Sequence, residues 1–267
     1  MPGMHRRFQL AVFLAVTAGA IAVTFLLPRY DLPPSYHDFA DRRALFGVAN
    51  FDDVASNLAF LVAGLYGIAV TLRRRRHFED QHELAAYLVL FAGLALTAFG
   101  SGYYHLRPDD ARLLWDRMPI SVAFMGLFAA MISERLSVQA GFWLLPLLVA
   151  CGVVSLWYWM WTVETGNRDL RPYILVQFYP LLAILLLLWM FAPRYTRGCD
   201  FLIALAFYVA AKAFEVADKP IFAATGGVIS GHTLKHISAA VGGYWLARML
   251  VQRKRLSEHT ARSAAVS

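Results

Sequence analysis

The chain has 267 residues, 59% of them hydrophobic and only 16% charged, with a formal net charge of +7. A soluble domain of this length would carry roughly 25% charged residues, so a soluble globular protein is excluded, and the apolar excess falls in blocks of about twenty, enough to cross about 30 Å of hydrocarbon. Basic residues gathered in loops and tails account for the charge without a nucleic-acid partner, and the two cysteines, Cys151 and Cys199, support neither a disulfide framework nor a thiolate metal site.

Eight apolar spans follow in chain order. The first runs from about Phe8 to Leu27. Arg6, Arg7 and the small residues Thr17 to Ala20 allow a signal sequence, but the apolar core exceeds the usual 7–15 residues, which favours a retained anchor helix over residues 1–30. The second covers Val54 to Leu72 and the third Leu84 to Tyr104, both without charge. The fourth starts just after Asp116 and ends near Ser133. The fifth covers Phe142 to Val163, with Trp157, Trp159 and Trp161 forming an interfacial belt. The sixth, Tyr173 to Phe191, contains Pro180, expected to kink it. The seventh, Phe201 to Val216, is interrupted by Lys212 and Glu215, and the eighth runs from His232 to Val251. Backbone groups in lipid must be satisfied internally, so the spans are expected to be helices. The resulting fold class is an all-α integral membrane protein: a seven-helix bundle over residues 31–251, one extra N-terminal transmembrane helix, and a frayed basic tail over 252–267.

Arg73 to Arg76 form the strongest basic block, and Arg253, Lys254 and Arg255 a second. Six spans separate them, so both fall on one side, which the positive-inside rule makes cytoplasmic together with Arg6 and Arg7. His105, Asp116, His232 and the acidic stretch Asp38 to Asp53 then share the opposite, outer face. Ionisable groups at membrane depth are functional candidates by default.

His232 and His236 are four residues apart, as are Ser101 and His105, so each pair occupies one helix face. Three imidazoles, His105, His232 and His236, suit a catalytic zinc, which takes three protein ligands and keeps a position for water. Asp116 is then the candidate proton acceptor or a partner that fixes an imidazole. Ser101 is the candidate donor to a developing oxyanion. Each group also has a plainer reading: an interfacial histidine pair, a carboxylate at a helix N-terminus, a serine bonded back to a carbonyl, and Lys235 as an interfacial side chain. Those readings explain the residues singly and leave their common face unexplained.

Taken in order, the segments Phe51-Asp-Asp-Val-Ala-Ser56-Asn57, Gly100-Ser101-Gly-Tyr-Tyr-His105-Leu, Leu-Trp115-Asp116-Arg117-Met-Pro119 and Ser230-Gly-His232-Thr-Leu-Lys-His236 resemble the alkaline ceramidase family. That family belongs to a wider group of seven-helix membrane hydrolases that includes the adiponectin receptors. The resemblance covers roughly residues 36–251. It implies a zinc-dependent amidase that cleaves ceramide, or a related N-acyl sphingolipid, to a sphingoid base and a fatty acid. His105, His232 and His236 are the implied zinc ligands, Asp116 the group acting on water and Ser101 the oxyanion partner. A lipid esterase using the same zinc site and a non-catalytic receptor-like relative are the alternatives. Eukaryotic members bind calcium through an acidic N-terminal motif. Here Asp38 and Asp41 are the oxygen ligands calcium would take, but Arg42 and Arg43 beside them, and Asn50 where a family glutamate is expected, argue against it. The expected partners are a lipid substrate and the bilayer. The expected setting is a bacterial inner membrane, with the site on the periplasmic side and the C-terminus cytoplasmic. The sequence leaves the oligomeric state open.

Overall fold

The computed structural model of the chain describes residues 6–256. Their secondary structure is helical: α1 (Arg6–Leu26), α2 (Phe51–Ala55), α3 (Leu58–Arg73), α4 (Glu83–Leu106), α5 (Asp110–Arg135), α6 (Val138–Glu164), α7 (Arg171–Met190), α8 (Cys199–Val216), α9 (Asp218–Ala224) and α10 (Gly231–Gln252), with short 3-10 turns at Pro34–His37 and Arg75–His77. Among the described residues, six segments are long and apolar enough to cross a membrane: α1, α2 with α3, α4, α5, α6 and α7. The chain is thus a multi-pass membrane protein. Helices of 18 and 22 residues also occupy the places of the last two predicted spans, but polar groups break their apolar runs. α8 carries Asp200, Lys212 and Glu215, and α10 carries His232, Lys235, His236 and Arg248.

α4 is central, packed along α5 on one side and α3 on the other. α10 lies between α3 and α8, α5 also packs on α6 and α7, and α1 lies outside against α7. Two glycines set the helix spacing at the site. A Cβ on Gly100 would lie 2.1 Å from the Trp115 carbonyl oxygen, so α4 and α5 touch backbone to backbone there, with Ser101 and Asp116 as the next residues. A Cβ on Gly231 would lie 2.3 Å from the Phe214 carbonyl oxygen, so α10 starts pressed against the α8–α9 junction. α7 and α8, consecutive in sequence, reach each other through a hydrogen bond of 3.0 Å from Gln177 Nε2 to Tyr208 Oη.

The local breaks differ from the predicted spans in two places. The second span is interrupted at Ser56 and Asn57, where α2 ends and α3 begins. α5 begins at Asp110, capped by Asp109, whose side chain accepts from the Arg112 backbone N–H. Asp116 therefore sits inside the helix, and its reading as an N-terminal dipole partner is withdrawn. The apolar run gave no sign of this earlier start, because the first turn is polar.

The three basic clusters share one end of the bundle. Arg6 Nη2 donates to the Leu136 carbonyl oxygen at 2.6 Å, and Arg255 donates to the carbonyl oxygens of Arg76 and His77 at 3.0 and 3.1 Å. The tail, expected to fray from Gln252, starts docked; residues 257–267 lie outside the described residues. Arg253 is buried, its guanidinium carbon 3.9 Å from the Tyr195 ring centroid and 4.5 Å from that of Phe78. Its Nη1 donates to Tyr87 Oη at 3.2 Å and to Glu134 Oε2 at 3.4 Å. Removing one partner of a buried ion pair leaves the other charge without compensation, so Arg253→Met is expected to lower stability by about 3–5 kcal/mol. Thermal unfolding in detergent should show this as a lowered midpoint, with the exposed neighbour Lys254→Met as control. Equal midpoints for both variants would remove the docking role.

Candidate metal centre and its cavity

α4 delivers His105 from its last turn, and α10 delivers His232 and His236 from its first two. Ser230 caps α10 by accepting from the Thr233 backbone N–H at 2.9 Å. All three rings are buried, with centroids 4.7–5.0 Å apart. One ligand nitrogen from each lies within 4.8 Å of the others. The Nε2 atoms of His105 and His232 face each other at 3.1 Å. Two nitrogens bound at about 2.0–2.1 Å in tetrahedral geometry would be roughly 3.3 Å apart, so these rings have the spacing of ligands to a common cation.

Neighbouring groups hold the rings in place. His236 Nδ1 and Ser56 Oγ are 2.8 Å apart, which leaves His236 Nε2 for the centre. The break between α2 and α3 is what presents Ser56. Asp218 Oδ1 accepts from the His232 backbone N–H at 2.8 Å. Asp53 holds the start of α10: its Oδ1 accepts from Ser230 Oγ and Thr233 Oγ1 at 3.1 and 3.0 Å. Phe39 stands edge-on over His105 and His232, with centroids 4.9 and 4.4 Å away, and Asn50 Nδ2 donates to the His105 carbonyl oxygen at 2.7 Å. Among these residues, Ser56, Asp218, Phe39 and Asn50 were not assigned to the centre from sequence. The only local sign was a Ser–Asn pair interrupting an apolar run.

Ser101, Asp116, Lys235 and His236 line one cavity of about 380 Å³. Ser101 and Asp116 each follow the residues at which α4 and α5 touch, and both line the cavity. Lys235 Nζ lies 2.7 Å from Glu215 Oε1 and 3.5 Å from His232 Nε2, and Glu215 also pairs with Lys212. Lys235, read from sequence as interfacial, is thus part of the cavity wall. The cavity is also lined by Leu90, Leu94, Leu127, Ile184 and Leu246, so an apolar wall adjoins the polar groups.

Residues 30–43 form a strap over the end of the bundle that carries the histidines. Ala40 N donates to Asp218 Oδ2 at 2.8 Å, and His37 bridges Tyr104 Oη and Asp110 Oδ1 at 2.8 and 3.1 Å. The two carboxylates suggested for calcium do not fit it, because the chain's own cations already face them. Asp38 pairs with Lys219 and Arg42, whose hydrogen bonds hold its carboxyl below the usual range. Burial pushes the Asp41 carboxyl up, but hydrogen bonds from Arg43 outweigh it and the net displacement is downward. Arg43 Nη2 also reaches Asp52 Oδ2 at 2.6 Å and the Val228 carbonyl oxygen at 2.9 Å, occupying the place a cation would take.

A scan of protein-family models matches no family to this chain, and no curated protein is similar enough to it to count as a relative.

Proposed function

We propose that the protein is a zinc-dependent membrane amidase acting on ceramide or a related N-acyl lipid. The observation that carries this reading is the convergence of three buried imidazoles beside a cavity that also holds Asp116 and Ser101 and continues into an apolar pocket. His105, His232 and His236 would hold the metal. When bound, zinc supplies a Lewis acid and a water acidic enough to ionise near neutral pH.

The chain's own residues do the rest. Asp116 accepts a proton from the water and delivers it to the amide nitrogen as the C–N bond breaks. The water oxygen ends in the fatty acid carboxylate, and the nitrogen leaves as an amine that takes up the second water proton as an ammonium. Ser101, lining the same cavity as Asp116, donates to the substrate oxygen as charge builds. The apolar wall holds the acyl chain and excludes water from the reacting carbonyl.

The same reading places the site on the outer, periplasmic face of a bacterial inner membrane, with the basic end and the C-terminus cytoplasmic. It counts α2 with α3, and then α4, α5, α6, α7, α8 and α10, as the seven-helix unit, with α1 added. The clustering of basic residues at the opposite end supports this orientation. The test is purified protein assayed against an N-acyl amide and the matching ester, with and without a chelator. Amide cleavage lost on chelation and restored by zinc is expected. Ester cleavage alone would support the esterase reading, and no turnover of either would leave a receptor-like protein.

A further inference from the structure

Arg117 is the one cation of the cavity wall that has no carboxylate partner among the described residues. It follows Asp116 on α5, is 5% exposed and lines the cavity. Its guanidinium carbon lies 4.8 Å from the Tyr173 ring, 5.1 Å from Tyr36 and 5.3 Å from Trp159. Three aromatic faces therefore fix its plane. Its Nη1 has no hydrogen-bond partner in the protein. The other cations of the wall are accounted for, since Glu215 pairs with both Lys212 and Lys235. Three cations, Arg117, Lys212 and Lys235, against two carboxylates, Asp116 and Glu215, leave the wall one positive charge in excess. Asp116 acts on the guanidinium as a counter-charge but makes no ion pair with it, and the fork of donors matches carboxylate and phosphate oxygens.

We infer that Arg117 is a specificity-determining residue that binds an anionic group on the amine half of an N-acyl lipid. The cavity would then select acidic N-acyl lipids over neutral ones of the same chain length. This inference rests on the amidase reading for the identity of the ligand but not for the binding itself.

Equilibrium binding to the full-length Asp116→Asn protein tests it, using N-oleoylglycine and N-oleoylethanolamine. These probes share chain and amide and differ by one carboxylate. A charge-assisted hydrogen bond is worth about tenfold or more in affinity, so the glycine conjugate should bind at least about tenfold tighter. Added Arg117→Met should bring the ratio to about one, and Arg117→Lys, which keeps charge but not the planar fork, should fall between. Equal binding of both probes to the Asp116→Asn protein that keeps Arg117 overturns the inference, and needs no Arg117 variant to fold. A preference that survives Arg117→Met also overturns it. Free oleate, as a third probe, separates the product: Arg117-dependent oleate binding without a preference between the two amides would assign Arg117 to the released acid and end the claim. The amidase reading fails differently, through absence of turnover of either amide by wild-type protein, with the binding preference intact.

Discussion

Asp116→Asn is expected to abolish amide hydrolysis while leaving about one zinc per chain. The substitution keeps the volume but removes the basic oxygen. General acid–base catalysis contributes roughly 10²–10⁴-fold, so turnover should fall by about that factor. Metal content should hold, because the candidate ligand nitrogens belong to His105, His232 and His236 and the nearest fixing groups are Ser56 and Asp218. Elemental analysis beside a rate measurement decides between the two readings of this carboxylate. Loss of both metal and rate would make Asp116 a support for the metal site rather than a proton carrier. An unchanged rate would remove it from the chemistry.

The parts of this site legible in sequence were those set by local periodicity. Four-residue spacing puts His232 and His236 on one face of α10, and counting spans puts His105 at the same end. What the sequence withheld depends on contacts between distant segments. The position of Asp116 inside α5 follows from a polar first turn that resembles a loop by composition. Ser56 reaches His236 across 180 residues, and only the break after α2 allows it. Asp53 and Asp218 look like ordinary helix-terminus acids until the start of α10 is folded against them. The calcium suggestion fails for a related reason: Lys219, which takes up Asp38, lies 181 residues along the chain. The polar character of α8 and α10 has the same origin as the site. They carry Lys212, Glu215, Lys235 and His236 into the cavity wall and His232 into the histidine cluster beside it, so these two helices fall short of the apolarity that marks the other six segments.

His236→Ala should lower bound zinc well below one equivalent, because two remaining imidazoles cannot close a three-ligand site. Ser56→Ala gives the graded counterpart. It removes the group 2.8 Å from His236 Nδ1 without touching a ligand nitrogen, and loss of such an orienting partner weakens metal affinity by about 10–100-fold. The ordering is the test: near-complete loss for His236→Ala, a right-shifted zinc titration that still saturates for Ser56→Ala, and no shift for an exposed α10 control such as Tyr244→Phe. Competition with a chelator of known affinity reads all three. A full equivalent retained by His236→Ala would mean the imidazoles meet for packing alone. Saturation by Ser56→Ala at wild-type concentrations would mean the α2–α3 break serves the backbone path and not the ring it faces.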